Sequence, residues 1–325
     1  MLQKYLVKGS LRKVFAILLV LVVTRARAFF NPPPVPDFSN FPFQKWLLGP
    51  IVYQPYMAFW FNIFIIFGLA MGFNYALRYY RYVPFRSFTG VVIIILLFGH
   101  APCLLTLHPL VLPTVFLSIS MIFSLRMSNA RENTIQVYWA AFFIGLAALS
   151  YPLTGVFIVY VFLATAVNSI LGWRELIVTI IGFFNPILLI LGGLYFFDKP
   201  VGFLWQQIQN EVHFPQIPNL TLLEWAFVVT TSLLSIWVFF NVASLAGKKP
   251  ISFRKYTWLH IWFLIVSIFS SFGSGHTFIY YLSLLSIPLS SFLAVYYSEE
   301  NRSIKSELVF LLMICIALIQ NNLLV

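Results

Sequence analysis

Asp37 is the single acidic residue in the first 131 positions, and three cations lie near it in sequence: Arg25, Arg27 and Lys45. A carboxylate in that setting can take the proton of an attacking hydroxyl. Cations beside it can hold a phosphate on which leaving-group charge develops. Each residue also has a plainer use. An aspartate between prolines in NPPPVPDFSNFP (31–42) suits a turn, and Arg or Lys beside an apolar run suits lipid headgroups.

The rest of the chemistry-bearing set is thin. His100, His108, Glu211, His213 and His276 are the other polar candidates, and Lys199 is the one further cation grouped with them. His100 and His108 have no third neighbour of the kind a zinc site needs. No Walker loop, nucleophile elbow, H-E-x-x-H or paired-cysteine motif occurs. Cys103 and Cys315 stand far apart in apolar surroundings and form no disulfide framework. The sequence therefore assigns no metal and no cofactor, although a divalent metal stays open.

What must position these residues is a membrane bundle. Of the 325 residues, 61% are hydrophobic and 9% charged, against roughly 25% charged in soluble domains. The fold class expected is all-α: a polytopic transmembrane helix bundle forming one integral membrane domain over 1–325. Apolar runs place about eleven spans (9–12), near 11–29, 51–77, 87–100, 109–126, 136–150, 152–171, 176–197, 221–246, 257–271, 277–297 and 307–321. The N-terminus mimics a secretory signal, with a basic stretch, an apolar core and Ala26-Arg27-Ala28. Arg25 and Arg27 fall where small neutral residues belong, so the first helix is read as retained.

With the N-terminus cytoplasmic, 16 of the 20 Lys and Arg fall on the inner side, as the positive-inside rule requires. Only Arg25, Arg27, Lys45 and Lys199 fall outside, and the C-terminus is then periplasmic. The net charge of +11 reflects this sorting and not a nucleic-acid patch, because the basic residues are dispersed. The first outer loop is 30–50, with an interfacial segment at 41–50. The second is 198–220, where FLWQQIQNEVHF (203–214) has the spacing of an amphipathic interfacial helix. Inside the spans the polar residues are His260, Asn62, Asn168, Asn185 and Asn241. Asparagines there serve mostly as glue between helices, which disfavours an ion-coupled transporter.

Two passages carry a resemblance. AAFFIGLAALSYPLTGVFIVYVFLATAV (140–167) resembles the helix–Pro–helix pattern of GT-C glycosyltransferases. More closely, the FFNPPP loop, the GLAALSYP hinge and GWRELIVTIIGFFNPILL (172–189) look like a Bacteroidota family of multi-pass inner-membrane proteins of unknown function, over roughly 10–215. The GT-C likeness implies about a dozen spans in the bacterial inner membrane, a cytoplasmic N-terminus and an acid in the first outer loop. It also implies sugar transfer from a polyprenyl-phosphate carrier at the periplasmic leaflet, with Asp37 as base and Arg25, Arg27, Lys45 and Lys199 as carrier-binding cations. The chain departs from that class in having no second acid near Asp37. The alternatives are a non-catalytic subunit or scaffold in envelope biogenesis or secretion, and a lipid or glycan transporter. Expected partners are membrane lipids, a lipid-linked sugar or other membrane proteins, and no nucleic acid.

Overall fold

The computed structural model describes residues 11–38, 41–84, 87–99, 104–127, 133–196, 222–272 and 278–299, with positions 202 and 209. Among them there is no strand. In chain order the helices are α1 (Leu11–Thr24), α2 (Ala26–Phe30), α3 (Pro42–Leu48), α4 (Pro55–Tyr79), α5 (Thr89–Phe98) and α6 (Val111–Met127). There follow α7 (Asn133–Ser150), α8 (Ile158–Val167), α9 (Trp173–Phe196), α10 (Leu222–Ala246), α11 (Ile251–Phe272) and α12 (Phe278–Glu299). Short 3-10 turns, Gly49–Tyr53 and Pro152–Phe157, lead into α4 and α8. The expected span near 307–321 and the amphipathic stretch 203–214 lie outside the described residues, Gln209 excepted.

Among the described residues three helices are long and apolar enough to cross a membrane: α4, α7 and α9. On α9, Ile177, Ile180, Ile181, Phe184, Leu188 and Leu189 are all exposed, an arrangement that hydrocarbon tolerates and water does not. Trp173 is 83% exposed at one end and Tyr195 78% at the other. At about 1.5 Å per residue they stand roughly 33 Å apart, close to the thickness of a bilayer core, where aromatic side chains collect at both interfaces. Exposed Tyr56 and Trp60 at the start of α4, and Tyr75 and Tyr79 at its end, repeat the pattern.

The core is built around α5, every residue of which is buried. With 10 residues it rises only about 15 Å, so the run expected to span at 87–100 is half a bilayer long. Gly90 is what lets it sit so deep: a Cβ there would lie 3.1 Å from Asn74 Oδ1 and 3.5 Å from Ala294 of α12.

The second tight contact is between α7 and α9. A side chain at Gly182 would come within 2.7 Å of the Tyr138 carbonyl oxygen, and Asn185 donates to the Tyr138 hydroxyl. Small residues let backbones approach in this way, and an amide ties them. The break between α7 and α8 follows from local chemistry. Tyr151, preceding a proline, takes an extended conformation, and Pro152 opens the 3-10 turn, the two positions where proline steers a chain out of one helix and into the next.

Two helices end in Schellman motifs without glycine. After α4, the Arg81 N–H donates to the Arg78 carbonyl and the Tyr82 N–H to Leu77 (3.0 and 2.9 Å), with Arg81 left-handed at φ +56°. After α8, Ser169 at φ +62° does the same, with bonds of 2.9 and 3.0 Å. Glycine normally fills this position. A residue with a side chain pays about 1–2 kcal/mol to be there.

Candidate functional site

The first candidate site lies where the N-terminal segments meet the start of α4. Thr24 closes α1 by donating its hydroxyl to the Val20 and Leu21 carbonyls at 2.9 and 3.1 Å, and Arg25 turns the chain into α2. Phe29 packs edge-on against Phe59 at 5.1 Å, Ala28 is buried with Phe59 and Leu105, and the Tyr56 hydroxyl donates to the Phe30 carbonyl at 3.1 Å. These contacts fix α2 on the first turns of α4.

Arg25 is 1% exposed. Its Nε, Nη1 and Nη2 are all buried with no hydrogen-bond partner among the described residues. Burying a guanidinium without an anion is expensive, and arginine's planar fork of donors matches phosphate and carboxylate geometry. Five donors buried with no hydrogen-bond partner among the described residues are the most unusual feature at this end of the molecule.

The proline loop then runs across the bundle. Pro33 and Phe38 are buried and Asp37 between them is exposed. Phe38 meets Phe41 edge-on at 6.5 Å, and Phe41 stacks on Tyr151 at 5.4 Å. The loop is therefore anchored by aromatic rings immediately after a solvent-facing carboxylate. In α3, Phe43, Gln44 and Leu48 are buried while Lys45 is exposed and Trp46 is 78% exposed. That is the two-faced pattern of a helix lying at an interface.

Beneath this loop lies a buried stretch of irregular backbone, 104–110. Buried backbone of this kind persists only where protein supplies its hydrogen bonds, and two amides do so. Asn62 of α4 donates to the Leu104 and Leu105 carbonyls at 2.8 and 2.9 Å. Gln44 of α3 donates to Pro109 at 2.7 Å and to Ser150 at 2.8 Å, joining three segments. His108, also buried, accepts the Leu110 N–H on Nδ1 at 3.2 Å, and burial pushes its imidazole down to about 3. It is a neutral member of a turn and not a surface group.

Of the residues singled out in the sequence, Arg25 is buried at the turn between α1 and α2, while Asp37 in the proline loop and Lys45 on α3 are exposed. The Arg27 side chain, His100, Lys199, Glu211, His213 and His276 lie outside the described residues. No group of three or more metal-ligating side chains forms among the described residues. Asn62 and Asn185 bridge segments as membrane asparagines commonly do. Asn168 and Asn241 bond back to their own helices at Ala164 and Trp237. His260 reaches the Tyr256 carbonyl at 2.7 Å through Nδ1 and stacks on Tyr82 at 4.8 Å.

A second site was not visible in the sequence. At the other end of α4, Arg78, Tyr79, Tyr80, Arg81 and Tyr82 face Lys249, Phe253 and Tyr256 across a half-open cavity of about 980 Å³. Arg78 lies over the Phe88 ring at 4.6 Å. Nearby, Lys255 donates to the Asn168 carbonyl at 3.3 Å.

No protein-family model, curated protein or solved structure matches the chain. The geometry alone therefore carries the functional reading.

Proposed function

We propose that the chain is a multi-pass inner-membrane protein of about eleven spans with GT-C-like architecture. In this reading it transfers a sugar from a polyprenyl-phosphate carrier at the periplasmic leaflet. The observation that carries the reading is Arg25, a buried guanidinium with three unpartnered nitrogens just ahead of a ring-anchored loop that presents Asp37. A carrier phosphate supplies the anion that Arg25 lacks. Asp37 takes the proton from the acceptor hydroxyl, whose oxygen attacks the anomeric carbon. The bond from that carbon to the phosphate oxygen breaks, and the electron pair leaves on the phosphate, which Arg25 stabilises. Lys45 and Trp46, exposed on α3, suit headgroup depth beside the carrier.

The second reading is a non-catalytic subunit or scaffold for envelope biogenesis or secretion. The opposite accessibilities of Asp37 and Arg25 favour it, because the base and the cation do not share one open surface. Replacing Asp37 with Asn in cells, while following lipid-linked sugars and protein abundance, separates the two. Accumulation of the lipid-linked donor at normal abundance supports catalysis. Unchanged donor levels and unchanged cell function support the scaffold.

A further inference from the structure

The cavity between the end of α4 and the start of α11 lies at the opposite end of α4 from Asp37. The 25 residues of that helix make it roughly 37 Å long. Three cations line the cavity, Arg78, Arg81 and Lys249, together with Tyr79 and Tyr80.

Arg81 carries a further signal. It occupies the left-handed position that ends α4, where glycine costs nothing and arginine costs backbone strain. Strain of this kind is kept where the side chain has a use. Anchoring at headgroups needs only a long cation on any of the adjoining residues, and it gives no reason to strain this one. Arg78, which lines the same cavity, lies over the Phe88 ring at 4.6 Å. A volume of about 980 Å³ is at the upper end of the range for small-ligand sites.

We propose that this cavity binds a phosphate-bearing group, held by Arg81, Arg78 and Lys249 with tyrosine hydroxyls as further donors. It is a site separate from the one at Asp37 and does not depend on it. The phosphate can belong to an anionic lipid headgroup or to a soluble phosphorylated compound, and the two are separable by experiment.

The test uses the full chain in nanodiscs. In discs of phosphatidylcholine alone, titration calorimetry measures binding of inorganic pyrophosphate. In discs of mixed phosphatidylcholine and phosphatidylglycerol, native mass spectrometry counts retained phosphatidylglycerol. The wild type binds one probe or both, and Arg81→Gln and Lys249→Gln each weaken that binding by roughly tenfold, the loss of one charge-assisted contact. Pyrophosphate binding assigns a soluble ligand, and retained phosphatidylglycerol without pyrophosphate binding assigns the headgroup. Arg81→Gly guards against trivial unfolding, since it relieves the strain and leaves Tm equal or higher while binding is still lost. Binding of neither probe by the wild type overturns the proposal. So does binding that Arg81→Gln and Lys249→Gln leave unchanged.

Discussion

Gly145 of α7 lies directly under Pro186 of α9: a Cβ at Gly145 would stand 2.6 Å from the proline Cγ and would overlap the Phe183 carbonyl oxygen. Neither neighbour is a flexible side-chain end, so one added methyl must push the helices apart. Gly145→Ala is expected to destabilise the protein by about 1–3 kcal/mol, the usual range for overpacking, seen as a lower Tm in neutral detergent. Gly155→Ala is the control, because its Cβ would meet only Ala148 and Phe183 side chains at 3.4 Å or more, and its effect should be much smaller.

Gln44 joins α3 to the turn before α6 and to the end of α7 through two bonds to carbonyls 65 and 106 residues away. Gln44→Glu keeps the size and removes both donors. It should cost about 1–3 kcal/mol or more, since buried carbonyls are left unsatisfied and a carboxylate is placed beside them. Thermal unfolding followed by tryptophan fluorescence measures this.

His108 gives a pH dependence of definite sign. Burial lowers its pKa to about 3 in the folded chain, from 6.5 when free. Below about pH 6.5 the unfolded chain therefore binds a proton that the folded chain refuses. The His108 contribution to stability falls steadily as pH drops from about 6.5 toward 3, and it is flat above that window. Comparing Tm against pH for the wild type and His108→Asn should show a shallower acid decline in the variant. Parallel curves count against a neutral buried imidazole.

Arg25→Met removes a buried charge that no described group neutralises and keeps a long apolar stem. Stability should rise by about 1 kcal/mol or more, as when buried ions give way to apolar side chains, while retention of polyprenyl phosphate on the purified protein falls. A loss of stability instead means that Arg25 has a structural anion and not a ligand to bind.

Apolar runs made α4, α7 and α9 legible in the sequence, and Tyr151-Pro152 marked the turn between α7 and α8. The depth of α5 was not legible, because a run of Val, Ile and Leu is equally at home against lipid and inside a bundle. Only Gly90 and its distant neighbours decide the matter. Gln44 reads as an ordinary polar residue of an interfacial helix, since its partners are remote in sequence. Arg25 beside an apolar run reads as a snorkelling side chain, and its burial depends on how α2 docks on α4. In the sequence Arg81 reads as one of many inner-face charges. Its left-handed backbone is hidden because glycine is the residue that announces such a turn.

The proposed transfer requires Asp37 and Arg25 to act on a carrier-linked sugar. The most direct measurement is consumption of polyprenyl-phosphate-linked sugar by membranes containing the wild type, Asp37→Asn or Arg25→Met at matched abundance. The wild type should convert the donor to free polyprenyl phosphate, and Asp37→Asn should slow this by about 10²–10⁴-fold, the usual contribution of a general base. Arg25→Met should slow it as well. A wild type that consumes no donor, or an Asp37→Asn variant that keeps pace with it, contradicts the account.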